Sequence, residues 1–204
     1  MNSRKKQDFN LMMENMTIVS NMLKDYGLTI FTRNSSLKRE HRPFVMCPDR
    51  KIIIVPKTFD YTNDNDLFSI CHEIGHYIDK LNCYQNCGKG SWIKVIKSEI
   101  TAWKLGRKEY IKYFGKDITQ SLKDMSIFYL LCHIGFQKVR YLENQVRKEA
   151  ENLVKEGKAE SLKLAIKGLS YKIPNIRTIA QWNEVLDIAE TSKMEKHLRK
   201  ILGY

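Results

Sequence analysis

The chain has 204 residues, 43% hydrophobic and 10% aromatic, with a formal net charge of +12 at pH 7. This is enough apolar material for one large domain, or a core domain with an appendage, and it excludes a disordered polyelectrolyte. Every apolar run is broken by Lys, Asp or Glu before it reaches membrane-spanning length, and the basic N-terminus is followed by no secretory apolar stretch, so no membrane association and a cytoplasmic location are expected.

Residues 8–26 read as a helix, because Phe9, Met12, Met13, Met16, Val19, Met22 and Leu23 recur near a 3.6-residue period, and Gly27 accepts the geometry that ends it. Leu28-Thr29-Ile30-Phe31-Thr32 is β-branched and aromatic and reads as a strand. After a basic loop from Arg33 to Arg42, Phe44-Val45-Met46-Cys47 and Ile52-Ile53-Ile54-Val55 flank Pro48-Asp49-Arg50-Lys51, which predicts a hairpin ended by Pro56. Three short strands before a helix predict a small antiparallel sheet.

Thr62-Asn63-Asp64-Asn65-Asp66 is rich in capping residues and places negative charge at a helix start. That helix is predicted to run to about Leu81. Its apolar residues Leu67, Ile70, Cys71, Ile74, Ile78 and Leu81 form one stripe, and His72 and His76 point almost opposite to it, toward a cleft. A loop over 82–91 leads into a second helix from Trp92 to Phe114. A third starts near Ser121, whose spacing to Asp124 fits a capping box, and continues toward Gly157 with Gly135 as a candidate break. A short helix over 158–167 stopped at Gly168, a connector at Tyr171–Asn175 and a last helix over 177–201 complete the chain. The C-terminal half is all helix.

Charge is uneven along these elements. Residues 1–60 carry eleven basic and six acidic side chains, residues 61–100 four and five, and residues 101–204 twenty and twelve. The basic C-terminal half suits solvated helix faces, and secondarily nucleic acid or an acidic protein partner.

His72-Glu73-Ile74-Gly75-His76 carries the chemistry. Residues four apart stack on one helix face, so the two imidazoles can share one tetrahedral zinc ion, and Glu73 leans toward the same ion to take a proton from the water it activates. With five His and thirteen Glu in the chain, composition alone yields such a pattern in roughly one chain in a hundred of this length. A catalytic zinc takes three protein ligands and leaves a fourth position open. A class of zincins with its third ligand six residues after the second His is excluded, because position 82 is Asn and Asp79 stands where that class has Gly.

Glu99 is the better third ligand. It lies on the next helix, which can fold back antiparallel, and Ala102 and Gly106 on its face let the two backbones approach. Asp79 competes, as a ligand or as a group that orients a ligand histidine from behind. His133 and Tyr84 are candidate oxyanion donors, although His133 sits in an apolar run that suits a core histidine. Cys83 and Cys87 have no second pair nearby, and the odd total of five Cys suits reduced thiols. Trp92 and Trp103 read as core.

Ser69-Ile70-Cys71-His72-Glu73-Ile74-Gly75-His76, followed by Glu99-Ile100-Thr101-Ala102-Trp103, resembles the ImmA/IrrE-type metallopeptidases, gluzincin-like proteins of phages and mobile elements. The resemblance covers about residues 50–110. It implies zinc held by His72, His76 and Glu99, Glu73 as general base, a small mixed sheet before the active-site helix, and a regulatory DNA-binding protein as substrate. The expected fold is therefore α+β: a small sheet packed on a zincin-type active-site helix over residues 1–115, then a helical region over 116–204. The expected activity is zinc-dependent endoproteolysis of a protein substrate, such as a regulatory or host defence protein. The alternative is a non-proteolytic zinc protein that binds nucleic acid or a partner through its basic helical half.

Overall fold

The computed structural model describes residues 3–32, 44–79, 92–175, 181 and 184–204. Among them the order is α1 (Ser3–Tyr26), β1 (Thr29–Thr32), β2 (Val45–Cys47), β3 (Ile52–Val55), α2 (Asp64–Ile78), α3 (Trp92–Phe114), α4 (Gln120–Lys155), α5 (Leu162–Leu169) and α6 (Ile188–Leu202). The class is α+β. The chain divides into two compact units, residues 1–126 with Tyr204, and Ile127–Gly203, so that α4 belongs partly to each.

In the first unit the predicted hairpin forms. Pro48–Arg50 makes a single 3-10 turn, and Lys51 adopts the left-handed region at φ 53° to turn the chain into β3. The sheet order is β1-β3-β2, with β1 parallel and β2 antiparallel to β3, so the sheet is mixed. β3 takes the centre because alternate residues, Ile53 and Val55, are buried at 0% and 1% exposure. The two flanking strands are edges.

α1 starts at Ser3 rather than at residue 8, and only its second half buries the predicted face. Val19, Met22 and Leu23 are in the core, whereas Phe9 and Met13 remain 52% and 46% exposed. Gly27, at φ 63°, closes the helix, and the Leu28 N–H reaches back to the Leu23 carbonyl at 2.9 Å.

α2 is capped by Asn63, whose side chain accepts from the Asn65 N–H at 2.9 Å, with Asp64 and Asp66 in the first turn. It ends at Ile78 with Asp79 as its cap, earlier than the predicted Leu81. Its predicted core residues Leu67, Ile70, Cys71 and Ile74 are all at 0% exposure. α3 runs antiparallel beside it. Gly106 lies against the Cys71–His72 backbone, Ala102 against Gly75, and the buried Tyr110 donates to Asp64 at 3.1 Å.

Among the described residues the second unit holds helices joined by turns and no strand. α4 passes through Gly135 without a break, because Leu130, Leu131, Cys132 and Ile134 on one side and Val139 on the other are buried and hold the backbone helical. The Ser121–Asp124 capping box does not form. Thr119 caps instead, its hydroxyl accepting from the Leu122 N–H at 3.3 Å. α5 begins after Ser161, which caps it, and continues through Gly168 rather than stopping there. The last helix begins at Ile188, where Asp187 accepts from the Glu190 N–H at 2.6 Å and fixes the N-terminus; residues 177–180, 182 and 183 of the predicted helix lie outside the described residues. Among the described residues no helix is long and apolar enough to cross a membrane.

Candidate metal centre

His72 and His76 stand one turn apart on α2, and the helical repeat brings their Nε2 atoms to 3.1 Å. Glu99 comes from α3. Its Oε2 lies 3.4 Å from His72 Nε2 and 3.5 Å from His76 Nε2. These three atoms form a nearly equilateral triangle. The edges of a zinc coordination tetrahedron with bonds of about 2.0–2.2 Å are roughly 3.3–3.6 Å, so the donor set and its spacing fit a small divalent cation. All three side chains are buried, and they are the group among the described residues able to hold a metal ion.

The close approach of α3 has a simple cause. Gly75 and Gly106 carry no side chain where the two backbones meet, and a Cβ on Gly106 would fall 2.8 Å from the His72 Cα. A larger residue at either position would push α3 away and carry Glu99 with it.

The histidines do not face an open cleft, as expected from the sequence, but are 7% and 2% exposed. The face opposite the apolar stripe of α2 is covered by α3, whose Trp103 lies flat on the His72 ring with centroids 3.9 Å apart and planes 29° off parallel. Trp103 is itself packed on Phe68 at 5.2 Å. Trp103 is therefore core, as predicted, and its stacked face also holds the plane of the His72 ring.

Electrostatics concentrate on His76. Burial pulls its pKa down, but Glu99, through charge and hydrogen bonding, outweighs burial, with Glu73 and Asp79 adding to it, so the imidazole holds its proton above the ordinary value. Glu73, on the same helix, is 7% exposed, and its Oε2 accepts from the backbone N–H of Met46 at 2.7 Å.

Of the sequence-derived candidates, His72, His76 and Glu99 converge on one point, with Glu73 beside them. Asp79 caps α2 close enough for its charge to act on His76. His133 belongs to the second unit, where its Nδ1 is 2.9 Å from the Tyr129 carbonyl, in keeping with a helix histidine bonded to its own turn. Tyr84, Cys83, Cys87 and the Trp92 side chain lie outside the described residues. Two contributors escaped the sequence reading: the Met46 amide and the stacked face of Trp103. The first leaves no trace in side-chain identity. The second has a weak one, an aromatic residue one turn beyond Glu99. No family model, curated protein or solved structure matches the chain.

Proposed function

We propose that the protein is a zinc-dependent endopeptidase that cleaves a protein substrate, such as a regulatory or defence protein, in the cytoplasm. The observation that carries this reading is the buried convergence of His72, His76 and Glu99 with Glu73 beside them. A structural metal site has no need of Glu73, whereas hydrolysis needs a base within reach of the attacking water. The likeness of His72-Glu73-Ile74-Gly75-His76 and Glu99-Ile100-Thr101-Ala102-Trp103 to ImmA/IrrE-type metallopeptidases points the same way.

In this reading His72, His76 and Glu99 hold the ion. Bound zinc supplies a Lewis acid for the scissile carbonyl and lowers the pKa of its water to about 7. Glu73 would accept a proton from the attacking water and hand it to the leaving amine. Trp103 keeps the His72 plane fixed, and the enclosing helices keep bulk water away from the charge that develops.

The deciding experiment compares zinc-loaded wild type with Glu73→Gln on unfolded proteins and a peptide library. Hydrolysis by the wild type, lost in a variant that retains one zinc, supports the proposal. Equal rates in both, or no cleavage by the zinc-loaded wild type, would overturn it.

A further inference from the structure

The bond between Met46 and Glu73 joins the sheet to the metal-bearing helix, and its geometry assigns it a role. In an antiparallel pair the backbone amides alternate between facing the partner strand and facing away. β2 pairs with β3 through Val45↔Ile54, Met46↔Ile53 and Cys47↔Ile52, and among the described residues no strand lies on its other side. The Met46 N–H donates to Glu73 Oε2 at 2.7 Å, so it is the amide turned to the open edge, and the ladder to β3 does not depend on it. The residue that offers it is well anchored. Its side chain is 7% exposed and belongs to the same core layer as Ile53, at 0%.

A glutamate has three rotatable side-chain bonds, and one standing between two metal-ligating histidines could swing onto the ion itself or away from it. A charge-assisted bond from a fixed backbone donor removes that freedom without adding a titrating group. We propose that the edge strand β2 is the positioning element for Glu73: the Met46 N–H commits Oε2 to the sheet and holds the carboxylate where it exchanges the proton. The chemical part of this statement rests on the hydrolytic reading above; the positioning itself does not. A second consequence follows for the edge. Its amide at Met46 is already taken, so an extended chain laid along β2 cannot continue the ladder through this N–H.

Two measurements on the full chain test the proposal separately from the activity. The first is amide hydrogen exchange by NMR. Met46 in the zinc-loaded wild type is expected to exchange slowly, although it lies on a sheet edge, and Glu73→Ala is expected to speed it roughly tenfold or more, with Ile53 and Val55 unchanged. Met46→Leu, which keeps the N–H, retains the slow exchange at this position. Fast exchange at Met46 in the wild type, or no change in Glu73→Ala, overturns the proposal. The second is Met46→Pro, which deletes the N–H at a position where the ladder does not use it. Zinc content is expected to stay at the wild-type level while kcat falls roughly tenfold or more and KM stays within about twofold. A folded Met46→Pro protein with wild-type kcat overturns the proposal. Where that variant does not fold, or where the wild type hydrolyses nothing and the peptidase reading falls, the exchange of Met46 in Glu73→Ala still decides the positioning claim.

Discussion

The carbonyl oxygen of Ala102 lies so close to the Cα of Gly75 that no side chain fits between them, and this contact sets how near α3, and with it Glu99, comes to α2. Substituting Gly75 by Ala forces the backbones apart against a packed interface, since the obstructing atoms belong to a main chain and cannot swing aside. Gly75→Ala and Gly106→Ala are each expected to lose about 1–3 kcal/mol of stability, read from urea midpoints, together with zinc affinity. Gly168 is the internal control: a Cβ there meets nothing within 4 Å, so Gly168→Ala inside α5 is expected to stabilise by up to about 1 kcal/mol. Equal effects at the three sites would remove the steric explanation.

Stoichiometric binding of one zinc per chain is expected from a three-donor site, with the affinity falling at least about 100-fold in His72→Ala, His76→Ala or Glu99→Ala. Trp103→Ala touches no donor atom but frees the His72 ring, and a loss of about 10- to 100-fold is expected, with Trp103→Phe milder because it keeps a flat face. Competition titration against a chromogenic chelator measures all of these. A Trp103→Ala protein that binds zinc like wild type would show the stacking to be packing alone.

The proton on His76 gives the metal a competitor. Glu99, with Glu73 and Asp79, raises the folded-state pKa of His76 despite its burial. A group raised on folding contributes stability that is complete below its unfolded value and disappears as pH rises through the folded one. The chelated protein therefore loses this contribution on the alkaline side, where a cation binds without having to displace a proton. The gap in Tm between zinc-loaded and chelated protein should widen as pH rises from about 5.5 to about 8. A gap that stays flat or narrows contradicts the assignment.

Thiol chemistry separates the cysteines. Burial pushes the Cys132 thiol up to about 11, and Cys71, at 0% exposure, is raised by burial first and by the Glu109 charge second. At pH 8 roughly one Cys132 in a thousand carries the reactive thiolate. Brief alkylation of the native protein is expected to label Cys47, which is partly exposed on the edge strand, and to leave Cys71 and Cys132 untouched until denaturant is added. Labelling of Cys71 in the native state would show that the core beneath α2 opens.

The convergence of His72, His76 and Glu99 was legible because helical spacing is a strong constraint: His72 and His76 must share a face, and the pairing of Ala102 and Gly106 with Glu99 advertises a close helix contact. The hairpin was legible from Pro48 and the two apolar runs beside it. The orientation of β1 was not, since a parallel partner and an antiparallel one use the same β-branched residues, and only the path of the intervening chain distinguishes them. The burial of His72 and His76 was hidden for a similar reason. A polar face read from one helix says nothing of the second helix that covers it. Gly135 and Gly168 misled as helix stops, because neighbouring apolar residues hold both inside helices, whereas Gly27 and Gly203 end theirs with φ of 63° and 74°.

The arrangement of the four buried groups also bears on which ions can enter. Glu73 and Glu99 bring two carboxylates into a volume where they and the two imidazoles are at most 7% exposed. With both histidines neutral the enclosure holds two units of negative charge, in a medium that tolerates net charge poorly. One dication brings that sum to zero. A monovalent ion leaves it negative, and a trivalent ion leaves it positive. Electroneutrality thus favours a dication before the preference of imidazole and carboxylate for one divalent metal over another comes into play.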